Sequence, residues 1–189
     1  MQKYEEEPEE QEQTTTIALS RERWYVLFVL SFQAHNQCLL WFTFSSMDLT
    51  KLGCDDAQQQ CASSGYYGRH FSVSRADLLL NWGSIFGMIC TPLAMWLLRT
   101  RDGLRRCVLL GCVLTFLCSV IRTVPSFMSR EFRASLSSYI LLCIGQILNA
   151  AAGPLCMAPV SRLSCLWFGT NERTFATAIA YTANGTGNT

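Results

Sequence analysis

Seven polar side chains without a permanent charge sit inside long apolar stretches: Gln33, His35, Asn36, Gln37, Asn81, Gln146 and Asn149. A polar group in an apolar helix is costly, so it faces a cavity or a neighbouring helix. Gln146 and Asn149 are three residues apart and share one helix face. Two such amides can grip a small solute, or they can tie helices together at about 0.6 kcal/mol per bond. For Asn36, Gln37 and Asn81 the plain interhelical bond is expected. His35 is the one member able to change charge near neutral pH, and no Asp or Glu lies within an apolar stretch. Proton coupling would therefore rest on His35, be absent, or draw on sequence outside this chain.

Other chemistries find no support. There is no phosphate-binding loop, nucleophile elbow or pair of carboxylates, so catalytic residues are not expected and the chain is not read as an enzyme. No CxxC pair occurs, which argues against a metal site, and no cofactor is expected.

The elements that must position these groups follow from composition. Half of the 189 residues are hydrophobic and only 15% are charged, and seven of the 14 acidic residues fall in the first 22 positions. The remaining body is too poor in charge to cover a water-facing surface, so its partner is the lipid bilayer. The net charge of +1 gives no basic field for nucleic acid. Residues 1–20, including "YEEEPEEQEQTTT", have almost nothing to bury and read as a disordered acidic cytosolic tail rather than a signal peptide. Apolar spans across about 30 Å of hydrocarbon are expected near 24–46, 78–98, 105–124 and 136–160, and a fifth starts near 174 and reaches residue 189 without completing a crossing. The third is short, and Arg105, Arg106 and Arg122 at its ends are expected to snorkel to water. The expected fold is an all-α, multi-pass membrane helix bundle of four complete spans and an incomplete fifth.

Residues 161–173, "SRLSCLWFGTNER", read as a tight interfacial hairpin, with Trp167 and Phe168 at headgroup level and Arg162, Glu172 and Arg173 in water. With the N-terminus cytosolic, the inner segments hold nine basic residues and the outer segments six. The densest basic cluster, 99–106, lies in a very short loop, so the N-terminus is placed inside. The polar loop 48–77 then faces outward and holds Cys54 and Cys61, either a disulfide or two free thiols. The other eight cysteines lie in or beside apolar helices as small hydrophobes.

The loop "RTRDGLRR" at 99–106 resembles the cytosolic signature loop of the major facilitator superfamily through Arg101, Gly103, Arg105 and Arg106. Thr100 stands where that signature has an acid and Trp96 where it has a glycine, and Asp102 is the nearest substitute acid. Topogenic charge alone explains the same arginines. Further on, "GQILNAAAGPLCMAP" and "WFGTNERTFATAIA" resemble solute carrier family 49, which includes the feline leukaemia virus subgroup C receptor-related and disrupted-in-renal-carcinoma-like transporters. "RERWYVLFVLSF" and "LLLNWGSIF" are similar to that family's first and second helices, and the likeness runs from about residue 21 to 180.

The resemblance implies the partial N-terminal half of a major facilitator fold, moving a small organic solute by alternating access as a fragment of a full-length transporter. The implied cargo is a choline-like or vitamin-like amine, or heme. It also implies that Trp41 and Gln146 fall where relatives hold an organic cation, a Trp face being worth about 0.5–2 kcal/mol to a quaternary ammonium. Asn149 and His35 are grouped with them as substrate-binding candidates. Arg101, Asp102, Gly103, Arg105, Arg106, Glu172 and Arg173 form a candidate conformational latch. Pro154 and Pro159 are expected to loosen their span. The implied further partner is a missing C-terminal half or a paralogue, in the plasma or lysosomal membrane. The rival reading is a membrane interaction protein that does not transport.

Overall fold

The computed structural model describes residues 21–43 and 73–187, and their regular structure is entirely helical. The acidic tail, Cys54 and Cys61 lie outside the described residues. The elements are α1 (Glu22–Phe42), α2 (Val73–Leu98), α3 (Gly103–Phe127), the single turn α4 (Arg130–Arg133), α5 (Leu136–Trp167) and α6 (Arg173–Thr186). Uncharged runs fold this way because an apolar medium offers backbone groups no partner, and a helix satisfies them within one segment.

Among the described residues, three helices are long and apolar enough to cross a membrane: α2 from Asp77 onward, α3 and α5. The 21-residue α1 is not one of them. Gln33, His35, Asn36 and Gln37 dilute its apolar run. α6 is shorter still, at 14 residues.

Local chemistry sets the boundaries. The side-chain oxygens of Ser129 and Ser135 accept the N–H groups of Phe132 and Ser138, capping α4 and α5. A Cβ at Gly103 would lie 2.2 Å from the Leu97 carbonyl oxygen, so the α2–α3 turn closes only around glycine. α5 runs to Trp167, seven residues past the expected end of that span, because 161–167 contains no Gly or Pro. The hairpin is consequently confined to 168–172, where the Glu172 and Arg173 N–H groups both bond the Gly169 carbonyl.

α5 is the hub. It packs most extensively on α3, then on α2 and α1, while α1 carries α6. One core cluster joins Leu27, Leu30, Val160, Leu163, Phe168, Ala176 and Ala180 across α1, α5 and α6. Phe168 is only 2% exposed there, so it fills the core instead of the headgroup layer: its ring meets Trp24 edge-on at 5.2 Å. A second cluster joins Ala94, Leu98, Cys107 and Leu155 across α2, α3 and α5. Pro159 lacks the N–H that would bond the Leu155 carbonyl, and the Cys107 thiol donates to that freed oxygen at 3.5 Å. Outward faces are apolar, with Phe28, Met88, Phe116 and Phe127 largely exposed, as lipid contact requires.

Candidate functional site

The shared face of Gln146 and Asn149 points into the bundle, and both residues are fully buried. Asn149 and Gln37 clasp α5 to α1: the Asn149 Nδ2 donates to the Gln37 carbonyl at 3.3 Å, and the Gln37 Nε2 donates to the Asn149 carbonyl at 3.4 Å. Gly153 lies beside this clasp, where a Cβ would meet the Gln37 amide at ordinary contact distance, 3.4 Å. The Asn149 Oδ1 has no partner. Gln146 is oriented from α3, where the Arg122 Nη1 donates to its Oε1 at 3.4 Å and also to the Leu40 carbonyl of α1. A guanidinium has only donors, so it fixes the oxygen side of the amide and leaves Nε2 turned away, buried and unpartnered.

Arg122 is where the sequence misled most. The expectation was a snorkelling end residue. α3 continues five residues beyond it to Phe127, so the guanidinium turns inward to the carbonyl and the amide. Gly145 makes the path, because a Cβ there would sit 2.8 Å from the Arg122 Cγ. Trp41 follows Leu40 directly, so one arginine brings the ends of α1 and Gln146 into one neighbourhood. The Trp41 ring itself lies against α2, occupying the space a Cβ on Gly83 would need, at 1.8 Å.

His35 is not part of this cluster. It faces α6, with Nδ1 at 3.2 Å from both the Ala183 carbonyl and the Thr186 hydroxyl. Asn184 reinforces that seam by donating to the Ala34 carbonyl at 3.0 Å. Asn36 bonds within its own helix, to the Phe32 carbonyl, and Asn81 is exposed. A further polar bridge links α1 to α3, from Gln33 to the Thr115 hydroxyl at 3.0 Å.

The latch candidates divide among local roles. Glu172 pairs with Arg23 of α1 at 2.7 Å, and Arg23 lies over the Trp24 and Phe168 rings at 5.5 and 5.6 Å. Arg173 closes its own hairpin, bonding the Phe168 and Cys165 carbonyls. Asp102 lies 3.9 Å from Arg106, an exposed pair of small energetic weight. Thr100, standing where the facilitator signature has an acid, bonds the Leu97 carbonyl of its own helix. Among the described residues no ion pair joins Glu172 or Arg173 to the loop 99–106, and Arg101 and Arg105 are exposed. Arg23 was the overlooked member. Its position one residue before Trp24 at a helix start was the only available signal. Among the described residues no group of His, Cys, Asp and Glu could hold a metal ion.

Known proteins are similar to this chain over most of its length. The chain is 36% identical over 162 residues, 86% of its length, to a Xenopus laevis protein named solute carrier family 49 member 4 homolog. It is 36% identical over 158 residues, 84% of its length, to the Xenopus tropicalis protein of that name. A Danio rerio solute carrier family 49 member A3 is 28% identical over 188 residues, 93% of the chain. The chain spans 31%, 30% and 33% of the lengths of these relatives, respectively. No family model matches it. No solved structure matches it either. Similarity across most of its length makes this chain a solute carrier family 49-type sequence, equivalent to about a third of such a protein.

Proposed function

We propose that the chain is part of a membrane transporter that moves a small organic solute by alternating access, with its N-terminus and the loop 99–106 on the cytosolic side. The observation that carries this reading is the pair of fully buried, unpartnered amide atoms on one face of α5, Gln146 Nε2 and Asn149 Oδ1. Leaving a donor and an acceptor unmet costs stability, and such costs gather where a ligand completes the bonding. The names of the curated relatives support the same class.

On this reading Gln146 donates to an oxygen of the solute and Asn149 accepts from its hydroxyl or amine. Arg122 acts as a positioning residue by holding the Gln146 amide in one orientation. Its charge disfavours a bare quaternary ammonium at the same spot. Of the choline-like, vitamin-like and heme classes, a solute that presents an oxygen towards Gln146 fits best. Trp41 supplies an apolar wall, the helices absent from this chain complete the cavity, and the membrane is the plasma or the lysosomal one.

The test is uptake of labelled choline, pyridoxine and heme by cells expressing the native gene product, with Gln146→Leu and Trp41→Ala as variants. Transport reduced for one solute at unchanged surface expression supports the reading. Uptake of all three that neither substitution alters, together with capture of a paralogue on purification, would favour the interaction protein instead.

A further inference from the structure

Along α2, α5 and α6 lies a groove of about 720 Å³ that the polar cluster does not touch. Its walls are mostly apolar, with Met95 from α2 and Pro154, Met157 and Ala158 from α5, and the hydroxyl residues Thr91 and Ser161 among them. Arg99 and Arg162 stand at one end of it, and Tyr181 of α6 completes the lining. Neither arginine has a side-chain hydrogen bond or ion pair among the described residues. They lie at the end of the bundle that holds the α2–α3 loop, where Arg101, Arg105 and Arg106 face a single acid, Asp102. From Pro154 to Arg162 the groove follows eight residues of α5, about 12 Å of helix.

We infer that this groove binds one anionic phospholipid, with its phosphate between Arg99 and Arg162 and an acyl chain along Met95, Met157 and Ala158. The geometry is that of a lipid in its own leaflet. The apolar walls belong to two helices fit to span a membrane; Arg99 directly follows α2, and Arg162 lies in the last two turns of α5, five residues before its end. Charge selects the occupant. A packed apolar helix would leave both guanidiniums unpaired, whereas a phosphate takes donors from both. The inference rests on membrane placement and on this face staying open to lipid beside the helices absent from this chain, and it does not depend on the proposed solute site.

The test uses the whole chain, reconstituted in vesicles of phosphatidylcholine with a minority of phosphatidylserine. It is extracted in mild detergent, and the retained lipid is identified by native mass spectrometry. Two arginines at an interface should enrich phosphatidylserine by up to about thirtyfold over its bulk proportion. The double variant R99Q/R162Q should lose that enrichment, R99K/R162K should keep most of it, and R101Q/R105Q, which lies outside the groove, should retain it. Helical content by circular dichroism separates loss of the lipid from loss of the fold, and the lysine pair keeps the test alive if the glutamine pair unfolds. Equal retention of both lipids overturns the inference, as does an enrichment that R101Q/R105Q removes equally. Displacement by millimolar inorganic phosphate would mark a free-anion site instead. A lipid-free dimer would mark a second copy as the occupant.

Discussion

Asn149→Leu should make the isolated chain more stable, and in the native gene product it should reduce the uptake proposed above. The Asn149 side chain makes one interhelical bond, to the Gln37 carbonyl at 3.3 Å, and its Oδ1 has no partner in a fully buried position. Losing the bond costs about 0.6 kcal/mol. Removing a buried, unmet acceptor returns about 1–3 kcal/mol. Leucine has the same branching as asparagine and leaves no cavity, and the Gln37-to-Asn149 bond survives because it uses the residue 149 backbone carbonyl. The net expectation is a gain of about 0.5–2 kcal/mol, which for a chain of this size is a rise of roughly 2–6 °C in Tm. The assay is thermal unfolding in detergent, followed by circular dichroism, with Asn149→Ala as a control that loses the same groups but opens a cavity and should fall. A fall for Asn149→Leu as large as that for the alanine variant would refute the reasoning. It would mean that Oδ1 is satisfied, by water or otherwise, and that the residue is structural.

Gly145→Ala should push a methyl to 2.8 Å from the Arg122 Cγ and destabilise the chain by about 1–3 kcal/mol, read as a lower denaturation midpoint. Glu172→Gln should leave Arg23, whose side chain is 13% exposed, between two rings without its counter-ion. Glu172 is 44% exposed and its pair is therefore screened, so the expected loss is about 1 kcal/mol and should shrink in high salt, checked by unfolding at two ionic strengths. Cys165 is the one exposed cysteine among the described residues, so with Cys54 and Cys61 replaced by serine a membrane-impermeant maleimide should label the chain in inside-out but not right-side-out vesicles if the N-terminus is cytosolic. Labelling from the outer face alone would reverse the assigned orientation.

The bundle was legible because its signal is coarse: uncharged runs have to become helices in lipid, and their approximate ends follow from where charges resume. The ends themselves were less so. α5 outran its expected limit at residue 160 because Arg162 marks a change of polarity, which does not terminate a helix. Gln146 and Asn149 stood out as polar residues in an apolar span, and their three-residue interval fixed a common face. What they touch was not readable, because Gln37, Leu40 and Arg122 come from helices at long sequence separation. The same limit hid the fate of Phe168. A Trp–Phe pair beside a charged turn reads as an interfacial belt, yet Arg23 and Trp24, 145 and 144 positions earlier in the chain, cover the ring. His35 was grouped with the wrong neighbours because position along α1 says nothing about which side of it α6 occupies.

The carbonyl that Pro159 releases has a mechanical consequence. α5 lacks two rungs of its own ladder, opposite Pro154 and Pro159, and the oxygen freed at Leu155 is held across the helix boundary by a thiol, a weak donor. A helix with its ladder interrupted twice in close succession bends more easily there, and flexing it gives up that soft bond and shifts Val160 and Leu163 against Leu27 and Leu30 of α1. The segment beyond Pro159 is a lever about 12 Å long, so a kink of some 20° would carry its tip about 4 Å. That lever bears Arg162, while Gln146 and Asn149 stay anchored on the stiff side of the joint. The two halves of one helix can thus move apart while the clasp to α1 stays shut.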